Sequence, residues 1–464
     1  MTVTLIHRKT AIAIILTVQL MLAMDFLIVI VSLKNIQLDL GFTATDLSWI
    51  PNAFALAFGG LLLMGGRLGD IMGQVRAFQV GLAIFVFASL TGGMAQSPSI
   101  LIIARIFQGI GSALAAPSVL ALITILARNE DEKNRSLSLF VAVSSVGASL
   151  GLILGGALTA FISWRWSLLI NVPVGAIAFV AIALLVPETA KLRGKVDFLG
   201  ALTATAGSAA LVFGFISGGE YGWIALTTTV SFIAAVALFM LFIKIETIVK
   251  EPLLKLSILA PMQRRGGLLV MAVICGMHFA TLFLILQYFQ EVLGYNPLMA
   301  GVAYLPLTTI VFLLSNYIPG LITKFGNRSL LITGSVLVAL SLLGFSELSS
   351  TSTYSAGILI PIVVHSIGIA LVFTPGSIVI LEGIKDEDAG IASGVLQISQ
   401  QIGGAIGIAA VLSVYTANSK PQDFSSGLST AFLTAAAISV VAAIIAMITI
   451  PGKQKKLHYT SQTV

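Results

Sequence analysis

Hydrophobic positions in this chain come in long blocks separated by short polar runs, and fourteen such blocks can be marked off between Ile12 and Ile450. They predict helices at 10–33, 47–66, 76–95, 98–119, 136–161, 167–187, 198–217, 224–245, 266–289, 298–323, 329–346, 354–380, 389–416 and 428–450. Apolar runs of about 20 residues cross a bilayer, which makes the expected class an all-α polytopic membrane protein. The basic residues agree. Of 25 Lys and Arg, 21 fall in loops and tails that alternate to one side, and only Lys34, Arg165 and Lys420 fall on the other, with Arg105 inside a block. That bias marks the cytoplasmic side, and the even helix count puts both termini there, as the His7-Arg8-Lys9 start and the Lys453, Lys455, Lys456 tail also require. The apolar run after Lys9 is too long for a signal peptide and lacks a small-residue cleavage site, so it is read as the first helix.

Composition narrows the class further. The chain is 57% hydrophobic and 9% charged, with mean hydropathy +1.04 and 44 Gly that helices in lipid can use for close contact. The net charge of +6 is spread over many short loops, so it reads as topology and not as a nucleic-acid surface. A single cysteine, Cys275, allows no intrachain disulfide. No His and Cys spacing suits a metal, no phosphate-binding G-x-x-x-x-G-K-[ST] exists, and the G-x-G at Gly109 to Gly111 lies mid-helix. No enzyme, cofactor or metal is expected.

The longest linkers, 127–135, 188–197 and 244–265, are charged and too short to fold as separate domains. An internal echo is visible: IGSAL at Ile110 to Leu114 recurs as IGIAL at Ile367 to Leu371, and GRLGDIMG at Gly66 to Gly73 has a degraded counterpart in PGLITKFG at Pro319 to Gly326. The echo favours a duplicated transporter with substrate near the bilayer midplane between its repeats. The expected division is a six-helix bundle over 1–190, an inserted helix pair with its linker over 191–262, and a second six-helix bundle with a short tail over 263–464.

Two ionisable residues lie deep in the apolar blocks. Asp25 is in MLAMDFLIVIV and Arg105 in ILIIARIFQGIG, and both come out about 10 to 12 Å below the outer surface at 1.5 Å per residue. An ionised group there costs at least about 2.5 kcal/mol, so each needs a partner. They form either a proton or cation site or a fixed ion pair that pins two helices. In GGRLGDIMGQVR, Gly66, Gly69 and Gly73 permit a tight cytoplasmic turn, and Asp70 can accept from a helix N-terminus or an arginine. Gly147, Gly151 and Gly155, with Gly156 beside the last, make a smooth stripe on the fifth helix. His278 and His365 sit in apolar contexts, where a change of charge can act as a switch. Asn52, Gln287, Tyr288, Asn316, Gln397, Gln400 and Gln401 can offer hydrogen bonds to a ligand or bridge helices, and Phe54, Phe107, Phe279, Phe283 and Phe373 can stack on aromatic compounds or simply face lipid and core.

These residues carry a resemblance to the major facilitator superfamily, specifically its fourteen-helix drug:H+ antiporter family. GGRLGDIMG is similar to the family's loop motif through Gly66, Leu68, Asp70 and Gly73, and LIIARIFQGIGSA to its fourth-helix motif through Leu101, Arg105, Gln108, Gly109, Gly111 and Ala113. VGASLGLILGG resembles the antiporter motif through the four stripe glycines, and WRWSLLINVPVG, from Trp164 to Gly175, is close to the segment W-R-W-x-F-x-I-N-x-P-x-G. YFQEVLGYNPLMAG (288–301) and GIASGVLQISQQIGGAIG (390–407) resemble second-half segments.

The resemblance implies a major facilitator fold of two six-helix bundles plus two inserted central helices. It assigns gating to Gly66, Asp70, Gly73 and Arg76, proton coupling to Arg105 with Asp25, and conformational change to the glycine stripe. The chain also departs from the pattern. Leu27, Ile30 and Lys34 replace Thr, Asn and Pro around the first-helix acid, Leu152 stands where the stripe motif has Pro, Gln74 and Val75 replace two basic residues, and the tenth helix carries no acid. Monovalent, zwitterionic or neutral amphiphiles are therefore expected in preference to dications. The function expected is a proton-coupled exporter of hydrophobic or cationic small molecules that confers drug resistance, working in the cell membrane as a monomer. The partners are amphiphilic substrate, protons and the lipid bilayer, and no nucleic acid. Candidate substrate contacts are Asp25, Asn52, Phe54, Phe107, Gln287, Tyr288, His365 and Gln397. Export of an endogenous metabolite or antibiotic is the nearest alternative, and a non-transporting membrane sensor the other.

Overall fold

The computed structural model describes residues 5–43, 46–127, 129–189, 197–250, 252–315, 317–384, 389–420 and 424–452. Asn316, Arg128, the linker residues 190–196 and the basic tail from Lys453 lie outside them. The described backbone is almost entirely helical, because inside a bilayer each N–H and C=O must be satisfied within its own segment. The helices are α1 (Leu5–Ile30), α2 (Leu33–Leu40), α3 (Trp49–Met72), α4 (Gln74–Gly93), α5 (Pro98–Leu126), α6 (Glu130–Phe161), α7 (Trp166–Leu169), α8 (Asn171–Leu185), α9 (Phe198–Tyr221), α10 (Leu226–Ile248), α11 (Met262–Glu291), α12 (Pro297–Ser315), α13 (Ile318–Phe325), α14 (Asn327–Ser346), α15 (Leu359–Leu381), α16 (Ala389–Asn418) and α17 (Leu428–Thr449).

Thirteen of the described helical segments are long and apolar enough to cross a membrane, against fourteen expected. The difference is the fifth block. Its helix, α6, starts six residues earlier than expected, where the Asn129 side chain accepts from the Glu132 N–H, and Ser149–Phe161 is the apolar stretch found among its described residues. The tenth expected helix is also shorter, since α12 ends at Ser315 and a separate helix, α13, starts with Pro319 in its first turn. Leu184, Ile224 and Ile448 stand exposed on the outside, as a lipid-facing surface requires.

The echo read in the sequence has a structural counterpart. α4 and α5 cross where a Cβ on Gly81 would lie 2.6 Å from the Gly111 carbonyl, and α14 and α15 cross the same way at Gly334 and Gly368, at 2.8 Å. Gly111 and Gly368 are the glycines of IGSAL and IGIAL. α9 and α10 pack on each other, and α9 also packs on α3 and α16.

Two of the three basic residues that break the charge bias are paired. Arg165 is bonded to Asp39 of α2, lies 4.5 Å over the Trp164 ring, and donates to the Ala95 carbonyl at 3.0 Å, while the Trp164 indole donates to Asp39 at 2.9 Å. The W-R-W segment thus clamps the loop after α6 onto α2 and onto the end of α4. Hydrogen bonds from Arg165 and Trp164 hold the Asp39 carboxyl below the usual carboxylate range. A lowered folded pKa contributes stability that is present above the unfolded value and is lost as pH falls through the folded one. Asp39→Asn is therefore expected to lower the melting temperature at pH 7, with the gap from wild type closing as pH drops below the ordinary value of 3.8. A gap that stays constant across pH would contradict the clamp.

Candidate functional site

Asp25 and Arg105 meet. The two side chains are completely buried, and the Arg105 Nη1 donates to Asp25 Oδ2 at 2.5 Å. Gln108, one turn along α5 from Arg105, accepts from the same Nη1 at 2.9 Å and donates its Nε2 to Asp25 Oδ1 at 3.1 Å and to Ser89 of α4 at 2.8 Å. Asn171, at the start of α8, donates to Asp25 Oδ1 at 2.7 Å, and Arg105 Nε donates to the Ile50 carbonyl of α3 at 3.2 Å. The guanidinium carbon lies 4.5 Å from the centroid of Phe54, which gives the cation an aromatic face as well as its counter-ion. Five helices thus meet around this ion pair, α5 and α8 donating to the carboxylate of α1 while α3 and α4 hold Arg105 and Gln108. Buried charges of this kind persist only when paired and hydrogen-bonded, and three donors on one carboxylate meet that condition.

Sequence reasoning paired Asp25 with Arg105 but gave no role to Gln108, Asn171 or Ser89. Their signal was available in part, because Asn171 interrupts the apolar run LLINVPVG and Gln108 follows Arg105 by three positions.

The loop between α3 and α4 is organised differently from expectation. The N-terminus of α4 is capped by Glu188, beyond α8, whose carboxylate accepts from the Val75 and Arg76 N–H groups at 3.2 and 3.1 Å and lies 3.6 Å from Arg76 Nε. Asp70 instead accepts from Gln74 Nε2 at 3.0 Å. Gly73 takes φ +99°, and a Cβ there would meet the Glu188 carboxylate at 2.3 Å, so only glycine suits both the backbone and the cap. Gly66 packs near Pro117, whose Cβ lies 3.7 Å from where a Gly66 Cβ would be.

The stripe glycines serve two neighbours. Gly147, Gly151 and Gly155 face α1 at Ala23, Met24 and Ile28, while Gly156 faces Pro297 and Leu298 of α12. Leu152, where the family has proline, has its carbonyl 2.5 Å from a Cβ placed on Gly301 of α12 and also lines the neighbouring cavity.

That cavity holds about 290 Å³ and lies among α1, α3, α5, α6, α11, α12, α15 and α16. Phe26, Phe54, Phe58, Phe279 and Phe373 form its aromatic walls, and Ser112, His278, Tyr304, Thr308 and Gln401 supply its polar groups. No Asp, Glu, Lys or Arg is among the described lining residues. Of the eight candidate substrate contacts only Phe54 is among the described lining residues, while His278, Phe279, Phe373 and Gln401, from the wider set of polar and aromatic candidates, line it too. Asp25 does not, being sealed behind Phe54 and Arg105.

The other candidates lie elsewhere. Phe107 is 50% exposed on the outer surface, because it sits two positions from Arg105 and so on another face of α5. Gln287 bonds to the Phe283 carbonyl of its own helix, Tyr288 donates to the Ser349 carbonyl, and Gln397 is exposed. Phe283 is buried in the core. His365 stands behind His278, with 3.2 Å between ring nitrogens. Asn52 is fully buried, and neither amide atom has a hydrogen-bond partner among the described residues.

One end of the assembly is tied together where α1 finishes. Lys34 Nζ donates to the Gln290 carbonyl at 2.7 Å and lies 3.4 Å from Glu291, and Gln290 Nε2 donates to the Val31 carbonyl at 3.0 Å. Lys34, a departure from the family pattern, thus ties α2 to the end of α11.

Residues 14–408 match the family model of the Major Facilitator Superfamily. The chain is 34% identical over 443 residues to the cephamycin export protein CmcT of Amycolatopsis lactamdurans, covering 94% of this chain and 91% of that one. It is 33% identical over 414 residues to the puromycin resistance protein pur8 of Streptomyces alboniger, covering 88% of this chain and 82% of the relative. Its fold is similar to the inward open conformation of the xylose transporter XylE from E. coli, with a TM-score of 0.64 and 14% identity over 97% of this chain and 98% of that one. With a matching family model over most of its length and relatives that export or resist antibiotics, the chain belongs to the Major Facilitator Superfamily, as a multi-pass membrane transporter and not an enzyme.

Proposed function

We propose that the protein is a proton-coupled exporter of hydrophobic small molecules, of the fourteen-helix drug:H+ antiporter type, in which α6 is the fourteenth span. Two six-helix bundles, over 1–190 and 263–464, flank the inserted pair over 191–262, with both termini in the cytoplasm of a bacterial-type cell membrane.

The observation that carries the reading is Phe54. One ring both covers the Arg105 guanidinium and forms a wall of the uncharged cavity, so the proton site and the cargo site share a side chain without sharing a surface. A proton arriving on Asp25 removes the counter-charge of Arg105, and a buried charge left alone costs about 3–5 kcal/mol. The protein relieves that cost by moving Arg105, and Phe54 moves with it, changing the cavity's shape and favouring release. The gating residues Gly66, Asp70, Gly73 and Arg76 then act at the cytoplasmic end, held to α8 by Glu188, and the stripe glycines let α1 slide on α6. Lys34 holds the outer end closed. A dedicated exporter of one metabolite or antibiotic is the second reading, supported by the likeness to a cephamycin exporter.

Reconstituted protein under an imposed pH gradient is expected to move ethidium against its concentration gradient, and a proton ionophore should stop the movement. Ethidium movement that persists after the gradient is collapsed would refute proton coupling.

The outer closure has its own test. With Cys275→Ser as background, Leu27→Cys places a thiol on the cavity wall. Adding Lys34→Ala is expected to raise its labelling by a membrane-impermeant maleimide from outside several-fold, and an unchanged rate would remove Lys34 from the gate.

A further inference from the structure

The cavity holds three polar groups that the transport mechanism above leaves unused. Tyr304 and Ser112 are each 1% exposed, line the cavity, and have hydroxyls with no hydrogen-bond partner among the described residues. His278 lines it too, with one ring nitrogen engaged and Nε2 without a partner among the described residues.

The engaged side settles which kind of group Nε2 is. Ser341 Oγ lies 2.6 Å from the Val338 carbonyl, which can only accept, so the single hydroxyl proton points there. Ser341 must then accept at its other contact, from His365 Nδ1–H at 2.9 Å. A neutral His365 with its proton on Nδ1 has a bare Nε2, which accepts from His278 Nδ1–H at 3.2 Å. His278, whose ring lines the cavity, is left with a bare Nε2 lone pair. The relay crosses α14, α15 and α11 and ends in a fixed acceptor.

Resting on the exporter reading, we infer that His278 Nε2 is a cargo-recognition point: the cargo is an aromatic amphiphile that carries an N–H or O–H donor for His278, an acceptor for the free Tyr304 hydroxyl, and at most one delocalised charge. The five Phe rings favour flat or delocalised-cationic bodies. A localised carboxylate or a dication would enter with no counter-ion among the lining residues. Ser341 and His365 are positioning residues, since they act only by fixing the tautomer of His278.

The test compares two lipophilic monovalent cations in detergent solution, without any gradient, so that a failure of proton coupling leaves it intact. Ethidium carries amino donors and tetraphenylphosphonium carries none. His278→Phe is expected to weaken ethidium binding about tenfold, the scale of one hydrogen bond with a partly charged partner. Tetraphenylphosphonium should hold its affinity within about twofold, the retained binding also reporting an intact fold. In wild type, diethyl pyrocarbonate should carbethoxylate His278 and spare His365. Equal loss of both probes, no loss of either, or an unreactive His278 would each overturn the proposal.

Discussion

Asp25→Asn is expected to abolish transport driven by a pH gradient while leaving ethidium binding within a few-fold of wild type. The amide keeps the size of the acid, but its single oxygen can accept only from Arg105 or from the Asn171 and Gln108 side, and it cannot gain or lose the proton that alternates the pairing with Arg105. It reproduces the protonated state permanently, with Arg105 lacking its counter-charge. The protein should therefore rest with its outer end open more often, and the Leu27→Cys thiol should label faster than in wild type. Binding survives because Asp25 does not line the cavity. Full coupled transport in the variant would show that the proton is carried elsewhere, and loss of binding together with transport would make Asp25 a cargo ligand. Arg105→Ala leaves the opposite defect, an uncompensated carboxylate, and is expected to cost about 3–5 kcal/mol of stability, more than the double variant that neutralises both partners.

Gly407→Val is expected to be the most damaging of the packing substitutions. α11 and α16 cross at Gly276 and Gly407, where a Cβ on Gly407 would lie 2.2 Å from Gly276 Cα and 2.4 Å from its carbonyl oxygen. Both obstacles are backbone, so no rotamer change relieves the clash and the helices must separate. In lipid, helix association rests on close van der Waals contact and has little hydrophobic drive of its own, so the lost approach is not recovered by burying the added methyl groups. Overpacking of this kind costs about 3 kcal/mol. A melting temperature lowered by several degrees and loss of monodispersity in detergent are the measurements. A variant that melts with wild type would mean that the crossing is looser than its geometry indicates. The comparison variant is Gly320→Val, whose Cβ would meet nothing within 4 Å and which should be nearly silent.

The helical class, the approximate spans and the pairing of Asp25 with Arg105 were legible because each depends on a property carried locally by the chain. Apolar blocks of bilayer length must become helices to satisfy their own backbone, and two lone ionisable residues at equal depth in lipid must find each other. Charge placement was legible for the same reason, and even its exceptions had a cause: Arg165 and Lys34 break the bias because each has a carboxylate waiting, on Asp39 and Glu291.

What the chain alone did not reveal depends on which face of a helix meets which neighbour. Phe54 and Phe107 look alike as candidates, yet one covers Arg105 and the other is turned outward, because nearly uniform apolar helices carry little amphipathic signal to separate core from lipid. Glu188 displaced Asp70 as the cap of α4 from more than a hundred residues away, a partnership made only by packing α8 against α4. Asn171, Ser89 and the chain from Ser341 through His365 to His278 are polar residues scattered over separate helices, each unremarkable in its own window. In lipid a polar group is satisfied by whichever helix lies beside it, so the sequence by itself determined that this is a helical membrane protein with one deep charged pair, and only the tertiary structure decided which polar groups complete that pair and which are left facing the cavity.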